Sequence, residues 1–168
     1  MNNFKKVALA SLVFAAIGTA QAADPQATVV WSGVVPGTTA GDTLMITGLG
    51  GDQSEQTGAL TPAGDGTFTS ESIVLEARVN ESGDATAPIV GALQAANWSI
   101  ASSALTYAGI SNNDAALEVM IDGVVVADTA NAAASVESIS LSVAQNAPLT
   151  DVDGDTVQAS VTVLASAI

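Results

Sequence analysis

The feature that most constrains this chain is a period-two alternation of apolar and small polar residues, broken at intervals by residues that accept tight bends. Successive side chains of a strand point to opposite faces, so such alternation makes one face apolar and leaves the other wet. The alternating segments are Ala27 to Val35, Thr43 to Leu49, Ser72 to Val79, Trp98 to Leu105, Ala116 to Asp122 continuing as Val124 to Ala127, Val136 to Ala144, and Val157 to Leu164. Turn chemistry stands between them: Pro36-Gly37, Gly50-Gly51-Asp52, Pro62 through Gly66, Ser82-Gly83-Asp84, Asn112-Asn113-Asp114 and Asp153-Gly154-Asp155. Asp122-Gly123, between Val119-Met120-Ile121 and Val124-Val125-Val126, is the clearest hairpin signature, because both residues tolerate the positive φ of a two-residue turn. The Ala-rich stretches Ala85 to Ala96 and Ala127 to Ala134 hold a short helical turn at most, since Pro88 and scattered Thr and Asn interrupt them. Seven or so strands at this spacing, without an amphipathic helix, predict an all-β chain and a β-sandwich of the immunoglobulin-like kind.

Residues 1–22 read as a secretory signal peptide: Lys5-Lys6, the apolar run Val7 to Ile17, and the small-x-small site Ala20-Gln21-Ala22. No later stretch is long and apolar enough for a spanning helix, so no membrane insertion is expected after cleavage. Beyond residue 22 the only basic side chain is Arg78, set against 17 acidic ones. Nucleic acid is excluded as a partner, because one arginine cannot neutralise a phosphate backbone. The chain has no cysteine although its route permits disulfides, so packing and backbone pairing must supply the stability. One domain is the simplest account of the chain beyond the signal, since no internal repeat or linker is evident.

Without histidine or cysteine, the usual nucleophile-base pairs and metal-hydrolase sites cannot be assembled. The carboxylates sit mostly in turns beside glycine, with few aromatics to hold a sugar, so neither an enzyme nor a cofactor is expected. The sharpest metal candidate is Asp151-Val152-Asp153-Gly154-Asp155-Thr156, where Asp151, Asp153 and Asp155 offer alternate carboxylates to a hard cation such as calcium. It falls short of an EF-hand, with Thr156 where glycine is needed and Thr162 where a bidentate glutamate belongs. The plainer account is a polar hairpin turn before the last strand. Trp98 and Tyr107 read as core or groove residues.

The two ends carry the functional signal. Gln26 to Val35 is extended, rich in valine, and contains Trp31 close to the expected mature terminus, where chains ordinarily fray. It is either a strand seeking a groove in another molecule or the first strand of a complete sandwich. At the other end Val157, Ala159, Val161 and Val163 alternate with Gln158, Ser160, Thr162 and Leu164, so the chain closes on a sheet. A sheet ending there presents an edge, and strand addition by a partner would cover it.

With its leader, the motif Ala27-Thr28-Val29-Val30-Trp31-Ser32, the segment Leu44-Met45-Ile46-Thr47-Gly48-Leu49-Gly50 and a closing valine strand, the chain resembles a major subunit of the chaperone-usher fimbriae. Within them it is most similar to the cysteine-free branch of the enterobacterial common pilus and CS1-type fimbriae. The resemblance implies an incomplete immunoglobulin-like sandwich over residues 37–168, completed by a donor strand from the extension 23–36 of the next subunit. The donor residues would be Ala27, Val29, Trp31, Gly33 and Val35, with the opposite face, Thr28, Val30, Ser32 and Val34, as the alternative register. The acceptor groove would be edged by Val157, Ala159, Val161 and Val163. It further implies a homopolymer exported through the periplasm to the cell surface, a periplasmic chaperone, an outer-membrane usher and a host receptor for adhesion. The aromatic near the C-terminus that such pilins commonly carry is missing, and Gly154 lies only roughly where their glycine falls. The Asp151 to Thr156 loop also resembles a segment of cadherin-like repeats in large bacterial adhesins, which implies the alternative of a calcium-stiffened β-domain or binding module.

Overall fold

The computed structural model describes residues 29–33 and 40–168. They form thirteen strands and one three-residue 3₁₀ turn, with no α-helix among the described residues. The strands are β1 (Val29–Gly33), β2 (Leu44–Gly48), β3 (Gln56–Pro62), β4 (Phe68–Ser70), β5 (Ile73–Asn80), β6 (Val90–Leu93), β7 (Ala96–Tyr107), β8 (Ile110–Ser111), β9 (Glu118–Ile121), β10 (Val124–Val125), β11 (Ala133–Val136), β12 (Ser138–Gln145) and β13 (Val157–Ala167). All pairings are antiparallel and make two sheets. The first runs β1-β3-β4-β12-β5-β2, with β9 on the other side of β12, β10 on β9 and β6 on β5; the second runs β11-β7-β13, with β8 paired to β7.

Both sheets turn their apolar sides to one core. The first contributes Ile73, Leu75 and Ala77 from β5 and Ile139, Leu141 and Val143 from β12; the second contributes Trp98, Ile100, Leu105, Tyr107 and the odd-numbered residues of β13 from Val157 to Val163. This is the layered arrangement of a β-sandwich, and the alternation in sequence is its direct cause. Trp98 is 1% exposed and its indole N–H donates to the Val136 carbonyl at 3.1 Å, so the largest side chain of the core has its one polar atom paired. Tyr107 is equally sealed, its hydroxyl donating to the Gly66 carbonyl at 2.6 Å.

One irregularity keeps the long β7–β13 ladder facing the core. Thr162 pairs with Ser102 but Val163 pairs with Ile100, so Ala101 has no partner. That extra residue switches the buried parity of β7 from even (Ala96, Trp98, Ile100) to odd (Leu105, Tyr107), while β13 keeps one parity throughout.

The Asp122-Gly123 hairpin forms as expected, with Val124 opposite Ile121 and positive φ at both turn residues. Of the Ala-rich stretches, the second holds the 3₁₀ turn Thr129–Asn131, capped by the Asp128 carboxylate. The first does not hold a helical turn: it yields β6, whose residues pair with Arg78 and Asn80 of β5. Three further strands, β3, β4 and β8, lie outside the alternating segments of the sequence, and β11 shares only Val136 with them.

Replacing a large side chain sealed in a close-packed core removes both transfer energy and packing, so Trp98→Ala is expected to lower unfolding free energy by about 3–5 kcal/mol. Leu164 is 56% exposed, and Leu164→Ala is expected to change it by less than about 0.5 kcal/mol. Urea unfolding of the two variants against the parent protein checks both values.

Candidate functional site

The two sheets meet at a seam formed by β1, β3 and β13. β1 is antiparallel to β3 in the register Val29–Leu60, Val30–Ala59, Trp31–Gly58, Ser32–Thr57 and Gly33–Gln56. It also lies close to β13, with no ladder between them. β13 is paired along its whole length with β7, and among the described residues it has no second ladder. β1 is therefore both the edge strand of one sheet and the neighbour of the other sheet's edge.

Of the expected donor residues, Val29, Trp31 and Gly33 fall in β1, and the partner strand they meet here belongs to the same chain. Ala27 and Val35, like the signal segment 1–22, lie outside the described residues. The expected groove residues Val157, Ala159, Val161 and Val163 are all buried and face the core from β13. The seam thus brings the two sets into one neighbourhood through their backbones.

Asp151, Asp153 and Asp155 sit in the loop between β12 and β13, and no group of three carboxylates among the described residues is placed to hold a metal ion. The loop has an apolar inner side instead. Leu149 and Val152 are buried in the core, against Gly66 of the turn between β3 and β4. Gly66 has φ +80°, and a Cβ there would come within 2.7 Å of Val152 Cγ2, so glycine serves both the turn and the close approach. The loop closes one end of the sandwich as a plug, with its carboxylates outward. The crevice beside it, about 70 Å³ and lined by Pro62 to Gly64, Gly66 and Val152 to Asp155, is far below the ~300 Å³ of an ordinary ligand pocket.

Several acidic side chains brace turns. Asp52 accepts from the Ser54 N–H and hydroxyl, Asp65 from those of Thr67, and Asp84 from those of Thr86, each at 3.1 Å or less. Side-chain and backbone donors of the partner residue hold each of these exposed carboxyls below its usual range, as do Asn131 and Ala130 for Asp128. Glu76 is the buried member of the set, 6% exposed. Its carboxylate pairs with Arg78 at 2.8 Å and accepts the Gly51 N–H at 3.1 Å, while Arg78 donates to the Gly91 carbonyl at 3.0 Å. Burial pushes its pKa up, but the N–H of Gly50, the guanidinium of Arg78 and the N–H of Gly51 together outweigh that and leave it lowered. The sequence offered Arg78 as a lone cation; pairing it with Glu76 two residues away on one strand face ties the β2 turn and β6 to β5.

Comparison with protein-family models, with curated proteins and with solved structures finds no match to this chain.

Carboxyls with folded pKa values below their unfolded ones contribute stability that is complete above about pH 4.5 and lost as pH falls through the folded values. The melting temperature is therefore expected to be flat from about pH 5 to 8 and to fall below about pH 4. Glu76→Gln should cost about 1.5–3 kcal/mol at neutral pH, the usual worth of a hydrogen bond to a charged group, and flatten the acid limb. Calorimetric scans across pH on parent and variant measure both.

Proposed function

We propose that this chain is a structural subunit of a surface fimbria, a homopolymer in which the N-terminal strand of each copy completes the sheet of the next. The observation that carries the proposal is the placement of β1: a strand of the N-terminal segment lies on the edge of β3 and close to β13. On this reading residues 37–168 are an immunoglobulin-like sandwich short of one strand, and 23–36 are its donor extension. The closed chain then represents the self-satisfied alternative, with its own β1 in the seam. Six residues, 34–39, join β1 to Ala40; fully extended they span about 20 Å, which sets how far the strand can move from its own groove.

A copy closed on itself has its strand at high effective concentration, so exchange needs something to hold the groove open. A periplasmic chaperone that lends a strand, and an outer-membrane usher that directs the replacement, fit that need. The same need is why export to the cell surface, rather than spontaneous assembly, belongs to the proposal. Binding to a host receptor would be a property of the assembled fibre.

The absence of cysteine allows a direct test. Val30 and Ala59 are cross-strand partners, so Val30→Cys with Ala59→Cys is expected to form a disulfide across the β1–β3 ladder. In protein recovered from the cell surface, exchange predicts intermolecular bonds and a ladder of multimers on non-reducing gels. Bonds formed only within single chains would overturn the proposal. A variant lacking residues 23–35 should regain its lost thermal stability when a synthetic peptide of residues 23–36 is added, which measures whether the seam takes a strand in trans.

A further inference from the structure

The second sheet carries no ionisable charge. β7, β8, β11 and β13 contain neither an acid nor a base, and the acidic side chains of the described residues, with Arg78, all lie on the first sheet or in loops. In a chain with a formal net charge of −14 this is a pronounced segregation. The outer side of β7 and β13 presents Asn97, Ser102, Gln158, Thr162 and Leu164, with Ser102 directly opposite Thr162 near the middle of the ladder. Leu164 is 56% exposed and stands across from Ser99.

We propose that this neutral outer face of the second sheet is a contact surface for a second copy of the same chain. Copies of like charge repel wherever acidic faces approach within a Debye length, about 8 Å at physiological salt, so a close contact between them is cheapest through a face with no charge. A cationic partner would instead dock on the acidic turns. Ser, Thr, Asn and Gln each donate and accept hydrogen bonds, so the face complements itself under two-fold pairing without needing an opposite charge. Leu164 supplies an apolar anchor within a polar surround.

The size of the face sets the strength of the contact. Eleven residues of β13 at about 3.4 Å each, and three strands about 4.8 Å apart, give on the order of 500 Å² per copy. A pair would bury about 1,000 Å², below the standard interface of about 1,600 Å². The contact is therefore weak between free molecules and adds up only where many copies are held side by side. It does not require strand exchange, and it forms with β1 in its own seam.

Sedimentation of the purified full-length protein over a range of concentrations tests it. The expected result is rapid, SDS-sensitive self-association that strengthens as NaCl is raised from about 20 to about 300 mM, because salt screens the opposing charges. Ser102→Glu with Thr162→Glu should weaken association at least about tenfold at low salt, while Val124→Glu with Val125→Glu, adding the same charge on the exposed β10, should change it less than about twofold. A monomer at every salt and concentration, including one that instead binds neutral glycan arrays, would overturn the proposal, and so would equal losses in the two variants. Failure of strand exchange removes SDS-resistant multimers and leaves this association in place, so the two proposals fail separately.

Discussion

A strand at the end of a sheet leaves a row of N–H and C=O groups that water must satisfy or another strand must cover. In this molecule one such seam lies where β1, paired as the edge strand on β3, also lies close to β13, the edge of the second sheet. There are no disulfides to lock the two sheets together, so their relative position rests on the shared core and on whatever occupies the seam. A five-pair ladder is worth only a few kcal/mol at the net value of a hydrogen bond in water, so the occupant can be replaced without dismantling the core.

Charge is distributed to leave that architecture undisturbed. Acidic side chains gather in turns, where Asp52, Asp65 and Asp84 convert a repulsive excess into local bracing by accepting from the Ser or Thr two residues on. Among the described residues the one buried carboxylate, Glu76, is met by Arg78 and by a turn N–H, so it is not left as an isolated charge. The outcome is that the acidic side chains of the described residues lie on the first sheet and in loops, while the strands of the second sheet carry none.

Fold class was legible because alternation and turn residues are both local signals. The strands that read clearly, β2, β5, β7, β12 and β13, are those whose buried faces repeat Leu, Ile, Val or Trp at every second position. β3 and β4 were not legible, because each offers essentially one core anchor, Leu60 and Phe68, around Gly58 and Pro62; the hairpin Pro62 to Gly66 was the signal that could have linked them. β8 comes after a turn at Ala108-Gly109 in which an alanine takes φ +49°, a choice no propensity favours. β6 and β11 are built largely from Gly, Ala and Ser and owe their form to the neighbours they pair with, which is tertiary context. The seam was half legible. The apolar N-terminal segment and the closing strand were each visible, but which partner each takes is a matter of non-local pairing, β1 with β3 and β13 with β7, and periodicity carries no information about that.

The identity of the ladder partner has an energetic consequence that links the two proposals. A neighbour's β1 has the same sequence as the chain's own, so moving it from the intramolecular to the intermolecular seam makes the same backbone ladder. Exchange alone is then close to neutral in contact energy and loses the effective concentration that closure provides. A polymer built this way persists either because release is slow once the strand is seated, or because copies gain contacts in the fibre that the closed monomer lacks. The uncharged face of the second sheet is the surface where such contacts cost least. A fibre of this chain would then hold its linkage through the seam and its compactness through the neutral sheet, with the acidic turns keeping neighbouring fibres apart.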